Sequence, residues 1–444
     1  MSVDPEKCPA GKNTLEPAEL PLESSLANTS IGNDVASAEL YFPDGGHKAW
    51  LTVLAGWLTL FSTIGVISGF SVFESYYSTT ELSTYTPSEI SWIGSLQIWG
   101  CFGFGLWSGR LSDSRGPRFP LAAGTVFTVL GTMMASISKK YYQFILSQGI
   151  CSAIGLGFSF TPAIAVQSQW FLRRRAFVGG LVMSGQNVGG VIWPILVNQL
   201  INYNGLSWGW TMRIIGFMQL ACMVAATLLI QPRFPSLPTQ PIPIRQFFTD
   251  RRTIMFTVAT LITFFGIYIP YFYISLYGTQ WGMSASSSFY LSAILNAGAF
   301  VGCYAFPVVA KSKMGCFNSL TFVAFGCAIT AFGWIGTRNN AGITAWCVIY
   351  GFLSGAIQAL FSPCISHLSP KPSLIGTWNG LCITVVSFAV LGTGPIAGRM
   401  LDNTGDINYV PMQIFTAVCL IVASVIYLGT TLCLPRVSSL AIVG

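Results

Sequence analysis

The chain has 444 residues, of which 52% are hydrophobic and 8% are charged, and its mean hydropathy is +0.61. Soluble domains carry roughly 25% charged residues, so this composition excludes an ordinary soluble globular protein. Repeated apolar runs of about 20 residues indicate a polytopic helical membrane protein. Because these runs are continuous rather than alternating, we do not expect a β-barrel.

The net charge of +7 follows a membrane topology rather than a nucleic-acid surface. Of the 22 Lys and Arg residues, 17 fall in segments predicted to be cytoplasmic and 5 fall elsewhere. Such an excess is the positive-inside pattern, so we expect an even number of crossings with both termini in the cytoplasm. The twelve cysteines are scattered without C-x-x-C spacing, which predicts buried thiols and no metal site.

The chain opens with a polar segment, residues 1–48, that is rich in carboxylates and predicts a disordered cytoplasmic tail. It ends in the string PDGGHKAW, from Pro43 to Trp50. We expect Asp44 and the Gly45–Gly46 pair to cap the first membrane helix. Hydropathy then predicts twelve membrane helices: 49–72, 90–108, 118–137, 142–166, 176–200, 210–230, 253–277, 285–309, 316–336, 341–364, 374–397 and 411–434.

A short charged loop, which we call the hinge (Gly109 to Arg118, GRLSDSRGPR), separates the second and third of these helices. Its cations place it on the cytoplasmic side. The pattern resembles the loop signature of the major facilitator superfamily, G-x-L-x-D-x-x-G-x-[RK]. The resemblance implies that Asp113, with Arg110 and Arg118 nearby, ties together the cytoplasmic ends of the two halves of the transporter.

A second motif, WFLRRRAFVGGLVMSGQNVGG, runs from Trp170 to Gly190. Its small residues recur at a spacing that lets helix backbones approach closely. Together with the Asp-Gly-Gly-x-x-x-Trp entry before the first helix, it resembles the monocarboxylate-porter family, especially its fungal branch. The resemblance implies the major facilitator fold: an all-α membrane protein with two six-helix halves.

The proline-rich stretch 231–252 predicts an extended cytoplasmic linker between the half at 49–230 and the half at 253–434, with 435–444 as a C-terminal tail. The halves are weakly related at an offset of about 200 residues. Thr161-Pro162 falls opposite Ser362-Pro363, and Gly180 falls opposite Gly380. Two related six-helix halves are typical of a transporter whose binding site lies between them.

Ionisable residues at membrane depth are functional candidates by default, and the predicted helices offer almost none. Glu74, at the outer end of the first helix, is the remaining candidate for proton coupling. Lactate-type relatives are expected to use a cation in helix one and an acid/arginine pair in helix eight, and Ile64–Phe73 and Ser292–Val309 contain neither. The predicted substrate-binding residues are therefore neutral: Gln186, Asn187, Tyr271, Asn296 and Gln358.

These features predict a secondary transporter that moves a small or medium organic solute, neutral or weakly charged, by rocking alternating access. The alternatives are a proton-coupled monocarboxylate porter and a solute sensor of the same fold that does not transport. We find no nucleophile–base pair and no metal cluster, so we expect neither an enzyme nor a cofactor. The expected partners are the organic solute, the lipid bilayer and protons. We place the protein in the plasma membrane, with a vacuolar or other endomembrane as the alternative.

Overall fold

A computed structural model describes residues 44–70, 73, 76–85, 87–233, 244–310, 314–371, 374–402 and 408–433. The predicted terminal tails, up to residue 43 and from residue 434, lie outside the described residues. So do residues 234–243 of the predicted linker, Glu74, and Lys311 to Lys313, where the second half carries its counterpart of the hinge.

Twelve membrane helices follow the predicted order, and most bounds lie within a few residues of those expected. The second helix is the exception: it continues to Arg115, so the hinge, predicted as a loop, is helical over residues 109–115 and turns at Gly116 and Pro117. Eleven of the twelve, among the described residues, are long and apolar enough to cross a membrane. The remaining one, α2, is interrupted at Phe104 and is rich in Gly, Ser and Trp. The helices are α1 His47–Ser68, α2 Pro87–Gly103 continued by Gly105–Arg115, α3 Arg118–Ala135, α4 Tyr141–Trp170, α5 Arg175–Ile201, α6 Trp208–Leu229, α7 Arg251–Gln280, α8 Ala285–Val309, α9 Gly315–Trp334, α10 Asn340–Leu368, α11 Ile375–Asp402 and α12 Val410–Leu432.

Burial separates the helices into inner and outer positions. In α4 and α10, 78% of the most apolar stretch is buried, whereas the value for α6 is 33%. The outer helices α3, α6, α9 and α12 turn large apolar side chains outward, among them Leu130, Leu228, Ile329 and Val425. Such a band suits contact with lipid chains, because an exposed apolar surface of this extent is costly in water. The chain is therefore a multi-pass membrane protein.

The internal repeat is visible in two interrupted helices. The helical hydrogen bonding of α1 breaks at Thr63, and that of α7 breaks at Tyr268, just before Pro270. Since α1 is the first helix of the first half and α7 is the first helix of the second half, the two breaks lie at corresponding positions of the repeat. Irregular backbone at membrane depth is tolerated where it is enclosed by protein or lines a cavity, and both breaks adjoin the cavity described below.

Glycines set the distance between the halves. A Cβ atom added to Gly105 would lie 3.1 Å from the carbonyl oxygen of Gly380, where α2 meets α11. A Cβ atom added to Gly190 would lie 2.7 Å from Oδ1 of Asn296, where α5 meets α8. The prediction that the small residues of α5 allow close helix packing is confirmed, since Gly65 of α1 also meets Gly189 at backbone contact.

The described end of the linker is not extended. Residues Ile244–Thr249 form a short helix, and Phe247 is fully buried with its ring 5.2 Å from that of Trp378. The prediction of an extended connector is wrong for this segment. An aromatic ring gains more by packing against a neighbouring apolar surface than by remaining in water.

We predict that Gly157→Ala lowers the free energy of unfolding by about 1–3 kcal/mol, the range for overpacking a tight contact. The new Cβ would lie 2.5 Å from the carbonyl oxygen of Gly100 and 2.6 Å from Cβ of Phe104. Gly333→Ala in α9 is the matched control, because no heavy atom lies within 4 Å of its added Cβ. Thermal unfolding in detergent measures both variants. Equal melting temperatures for the two would contradict the packing argument.

Candidate substrate cavity

A cavity lies between the two halves. It is contributed by α1, α2 and α5 from the first half and by α7, α8 and α10 from the second. The residues that line it are Ile64, Ile67, Ser68, Phe70, Ile98, Cys101, Phe102, Gln186, Asn187, Tyr268, Tyr271, Phe272, Asn296 and Gln358.

The structure brings all five residues of the predicted substrate site to this cavity. Gln186 donates a side-chain hydrogen bond to Gln358, so the two amides join α5 to α10 across the halves. Asn187 donates to Sγ of Cys303 at 3.3 Å, and Nδ2 of Asn296 donates to the carbonyl oxygen of Ser292 at 2.9 Å. The hydroxyls of Tyr271 and Ser354 lie 2.9 Å apart. The amides thus serve both as bonds between helices and as part of the cavity wall.

The sequence reasoning missed the wall formed by α1 and α2, including Ser68, Cys101 and Phe102. These helices carry no amide at the cavity, so a search for polar residues at membrane depth passes over them. The internal repeat could have identified this wall from the sequence. Because α1 takes the place in the first half that α7 takes in the second, the tyrosines of α7 indicated that α1 faces the same space.

The lining is uncharged. None of the residues that line the cavity is Asp, Glu, Lys, Arg or His. An isolated charge in such a lining would be costly to bury without a partner. The polar groups available to a solute are neutral amides, hydroxyls and a thiol, set among aromatic and aliphatic side chains.

The hinge connects the halves beyond the membrane-crossing part of α2. Oδ2 of Asp113 accepts hydrogen bonds of 2.6 Å from both the backbone N–H and the hydroxyl of Thr377. Thr377 lies in the first turn of α11, whose N-terminal N–H groups attract an anion. Burial raises the pKa of the Asp113 carboxyl to about 7, even though the hydrogen bonds from Thr377 and Gly376 lower it.

Arg110 and Arg118 were both predicted to lie near Asp113, but the guanidinium of Arg118 bonds to the end of α6 instead. Its guanidinium donates to the carbonyl oxygen of Ile230 at 3.0 Å and to that of Leu228 at 3.4 Å, both at the end of α6. Arg118 thus caps a helix within its own half, because the last carbonyls of α6 lack helical partners. Arg110 is half-buried in the last turns of α2.

Further contacts join the halves at the end of the bundle that carries the hinge, which we call the hinge end. The hydroxyl of Ser168 in α4 donates to that of Ser366 in α10 at 3.1 Å. Arg175, at the start of α5, reaches Nδ1 of His367 at 3.5 Å. Deeper in the bundle, the N–H of Leu106 donates to the hydroxyl of Thr384 at 2.9 Å. The cavity is therefore separated from the hinge end by a layer of protein contacts.

The sequence predicted that Asp44 caps α1, and this prediction is wrong. No side chain caps α1, and its N-cap residue is Gly46. Oδ1 of Asp44 instead accepts hydrogen bonds from the backbone N–H groups of residues 172, 173 and 174, at 2.7, 2.9 and 3.4 Å. Its positive φ of 48° turns the chain at this point. The carboxylate thereby binds the N–H groups that precede α5 and joins the two motifs that the sequence singled out.

A sequence model described as the Major Facilitator Superfamily matches residues 52–390. The chain belongs to the major facilitator superfamily. This agrees with the helical architecture and with the position of the hinge between α2 and α3. Its membership and its relatives confirm the prediction of a secondary transporter for an organic solute.

Two curated relatives of this major facilitator protein carry descriptive names. It is 38% identical over 413 residues to the aspyridones efflux protein of Emericella nidulans, covering 92% of this chain and 82% of the relative. It is 35% identical over 447 residues to the fujikurins efflux protein of Gibberella fujikuroi, covering 96% and 93% of the two chains.

Solved structures agree with the fold. The E. coli fucose:proton symporter superimposes with a TM-score of 0.67 at 14% sequence identity, covering 86% of this chain and 98% of the symporter. A second structure of that symporter, described as being in the outward conformation, gives a TM-score of 0.66 at 15% identity over the same shares of the two chains. At this level of identity the likeness concerns the fold alone.

We predict that closure of the hinge end weakens as the pH rises from about 4 to about 7 and then levels off. Opening returns Asp113 to water and to its usual pKa of about 3.9, so closing takes up a proton in this interval. Distances between spin labels at the exposed positions Arg115 and Lys371, measured from pH 4 to 8, test this. Asp113→Asn should abolish the pH dependence while keeping the bonds from Thr377. The same dependence in that variant would assign it to another group.

We predict that Asp44→Ala lowers the free energy of unfolding by about 1–2 kcal/mol, the loss typical of a helix-cap carboxylate. Asp44→Asn should cost less, because its carbonyl oxygen can accept the same bonds and Asn tolerates positive φ. Denaturant unfolding in detergent micelles measures both. His47→Ala, at an exposed neighbouring position, is the control. If the two alanine variants behave alike, the bonds from residues 172–174 contribute nothing measurable.

Proposed function

We propose that the protein exports an uncharged or weakly charged organic solute, of the secondary-metabolite type, by alternating access. The observation that carries this proposal is the cavity between the halves, whose lining combines neutral amides from both halves with aromatic rings. A site built from two halves that move against each other is the arrangement that alternating access requires. The names of the two relatives support export as the direction.

We assign the protein to the fungal branch of the monocarboxylate-porter-like family, on the strength of the Asp-Gly-Gly entry and the α5 motif. The hydrogen bonds from residues 172–174 to Asp44 support this assignment, because they give the two motifs one joint structural role. A small carboxylate is nevertheless disfavoured as the cargo, since the cavity offers no cation to balance its charge.

The hinge end is proposed to face the cytoplasm, because the arginines of the hinge and of residues 173–175 gather there. With an even number of crossings, both termini are then proposed to lie in the cytoplasm. The contacts of Asp113, Ser168 and Arg175 then close the cytoplasmic side in the conformation described here. For an exporter, the plasma membrane is the proposed location, with an endomembrane as the alternative.

Flux through proteoliposomes tests the proposed site. Asn296→Ala and Gln358→Ala should each lower the flux of a transported aromatic solute by roughly tenfold, as expected for one lost hydrogen bond. Asn318→Ala is the matched control: Asn318 is exposed on α9, yet it donates to the carbonyl oxygen four residues earlier, as Asn296 does. Equal flux in all three variants would contradict the proposal that the solute passes through the cavity.

Proton coupling is tested separately at Glu74, which remains the proposed coupling residue. If Glu74 carries the proton, wild-type flux should rise with an imposed proton gradient and Glu74→Gln should transport at the same rate with and without it. A gradient response that survives in Glu74→Gln assigns coupling to another residue. Flux that ignores the gradient in the wild type indicates facilitated diffusion.

A further inference from the structure

The hydrogen bond between Gln186 and Gln358, which we call the amide pair, is a polar contact between the halves at the cavity, beside the bond from Asn187 to Cys303. Gln186 belongs to α5 and Gln358 to α10, and their side chains are only 5% and 4% exposed. Both residues line the cavity. A solute that enters the cavity between the halves therefore meets this pair directly.

A bond between two primary amides leaves a defined pattern unused. The donating amide keeps its carbonyl oxygen, and the accepting amide keeps its N–H groups. This pattern is the same whichever of the two residues donates. Within the described part of the chain, no protein group bonds to the remaining carbonyl oxygen of Gln186 or to the N–H groups of Gln358. Because the second N–H of Gln186 is also unused, the amide pair presents the carbonyl oxygen of Gln186 as an acceptor beside several N–H donors.

The neighbouring amides of Asn296 and Asn187 add further acceptors, beside the second N–H that each retains. Asn296 uses one N–H on the carbonyl oxygen of Ser292, and Asn187 uses one N–H on the thiol of Cys303. Their carbonyl oxygens make no bond to a described protein group. A solute that carries only acceptors would leave several of these oxygens unpaired, and a buried polar group without a partner is costly.

We propose that the cavity selects planar solutes with a hydrogen-bond donor directly beside an acceptor, such as a secondary lactam or a hydroxy-ketone on an unsaturated ring. This rests on the proposed transport function. The donor binds the carbonyl oxygen of Gln186, and the acceptor binds the N–H of Gln358. These two bonds use groups that the amide pair leaves free, so the solute connects the halves beside the existing bond. Phe70, Phe102 and Tyr268 provide flat apolar surface for the ring.

The test compares each donor–acceptor compound with its methylated partner, which has nearly the same shape but lacks the donor. The lactam probes are quinolin-2(1H)-one and its N-methyl derivative, and the hydroxy-ketone probes are tropolone and 2-methoxytropone. Binding is measured with the full-length protein in nanodiscs, and flux is measured in proteoliposomes. We expect wild type to bind at least one donor-bearing compound roughly tenfold more tightly than its methylated partner, the difference made by one hydrogen bond.

Variants of the amide pair decide whether the preference arises there. Gln186→Met keeps the length of the side chain and removes the carbonyl oxygen that the solute's donor binds, and Gln186→Leu removes it with a shorter, branched side chain. Both should reduce the preference to within about twofold, whereas Asn318→Ala should retain it. Melting curves identify any variant that fails to fold. If one of the two amide-pair variants does not fold, the other one tests the preference. A preference that survives in the folded variants, or its absence from wild type, overturns the proposal.

The two measurements separate this proposal from the proposed function. Equal transport of methylated and unmethylated compounds leaves transport intact and overturns the selection by the amide pair. A preference in binding, with no flux of any compound, supports the amide pair and overturns the transport proposal in favour of a solute sensor. Preference for the lactam alone or for tropolone alone identifies which donor–acceptor group the pair accepts.

Discussion

Close backbone contact at glycines is the constraint on which the two-half arrangement depends. Where α2 meets α11, a Cβ atom added to Gly380 would overlap the carbonyl oxygen of Gly105, and where α5 meets α8, one added to Gly180 would overlap that of Cys303. In a bilayer the lipid chains are as apolar as the side chains, so helix association relies on close packing and on hydrogen bonds between helices. The distance set by these glycines is short enough for the amides of α5 and α10 to bond across the cavity.

The polar residues that the close helix packing brings to the cavity are uncharged. The cavity wall holds amides, hydroxyls and a thiol, and no residue that lines it is charged. Gln186, Asn187 and Asn296 each donate to a protein group and keep a carbonyl oxygen to which no described protein group bonds, so the cavity has groups to offer a solute. A neutral wall of this kind favours solutes that bring their own donors and disfavours anions.

Contacts at the hinge end hold the halves together in a different way. Asp113 binds the N-terminus of α11, Ser168 binds Ser366, and Arg175 reaches His367. Asp44 holds residues 172–174, directly before Arg175. These bonds are individually modest, so they can break and re-form. Tight packing at the glycines and reversible polar bonds at one end are together suited to a rocking motion.

The sequence by itself determined the membrane class, the twelve helices, the turn at the hinge and the neutral amides at membrane depth, because hydropathy and turn chemistry are local properties. It also assembled the five predicted cavity residues, since small and polar residues on inner helices have few other places to lie. Only the tertiary structure decided which groups meet. Asp44 binds residues 128 to 130 positions away, Gln186 bonds to Gln358 across 172 positions, and Asp113 binds Thr377 across 264. Such pairings depend on how distant helices pack, and no local pattern encodes that.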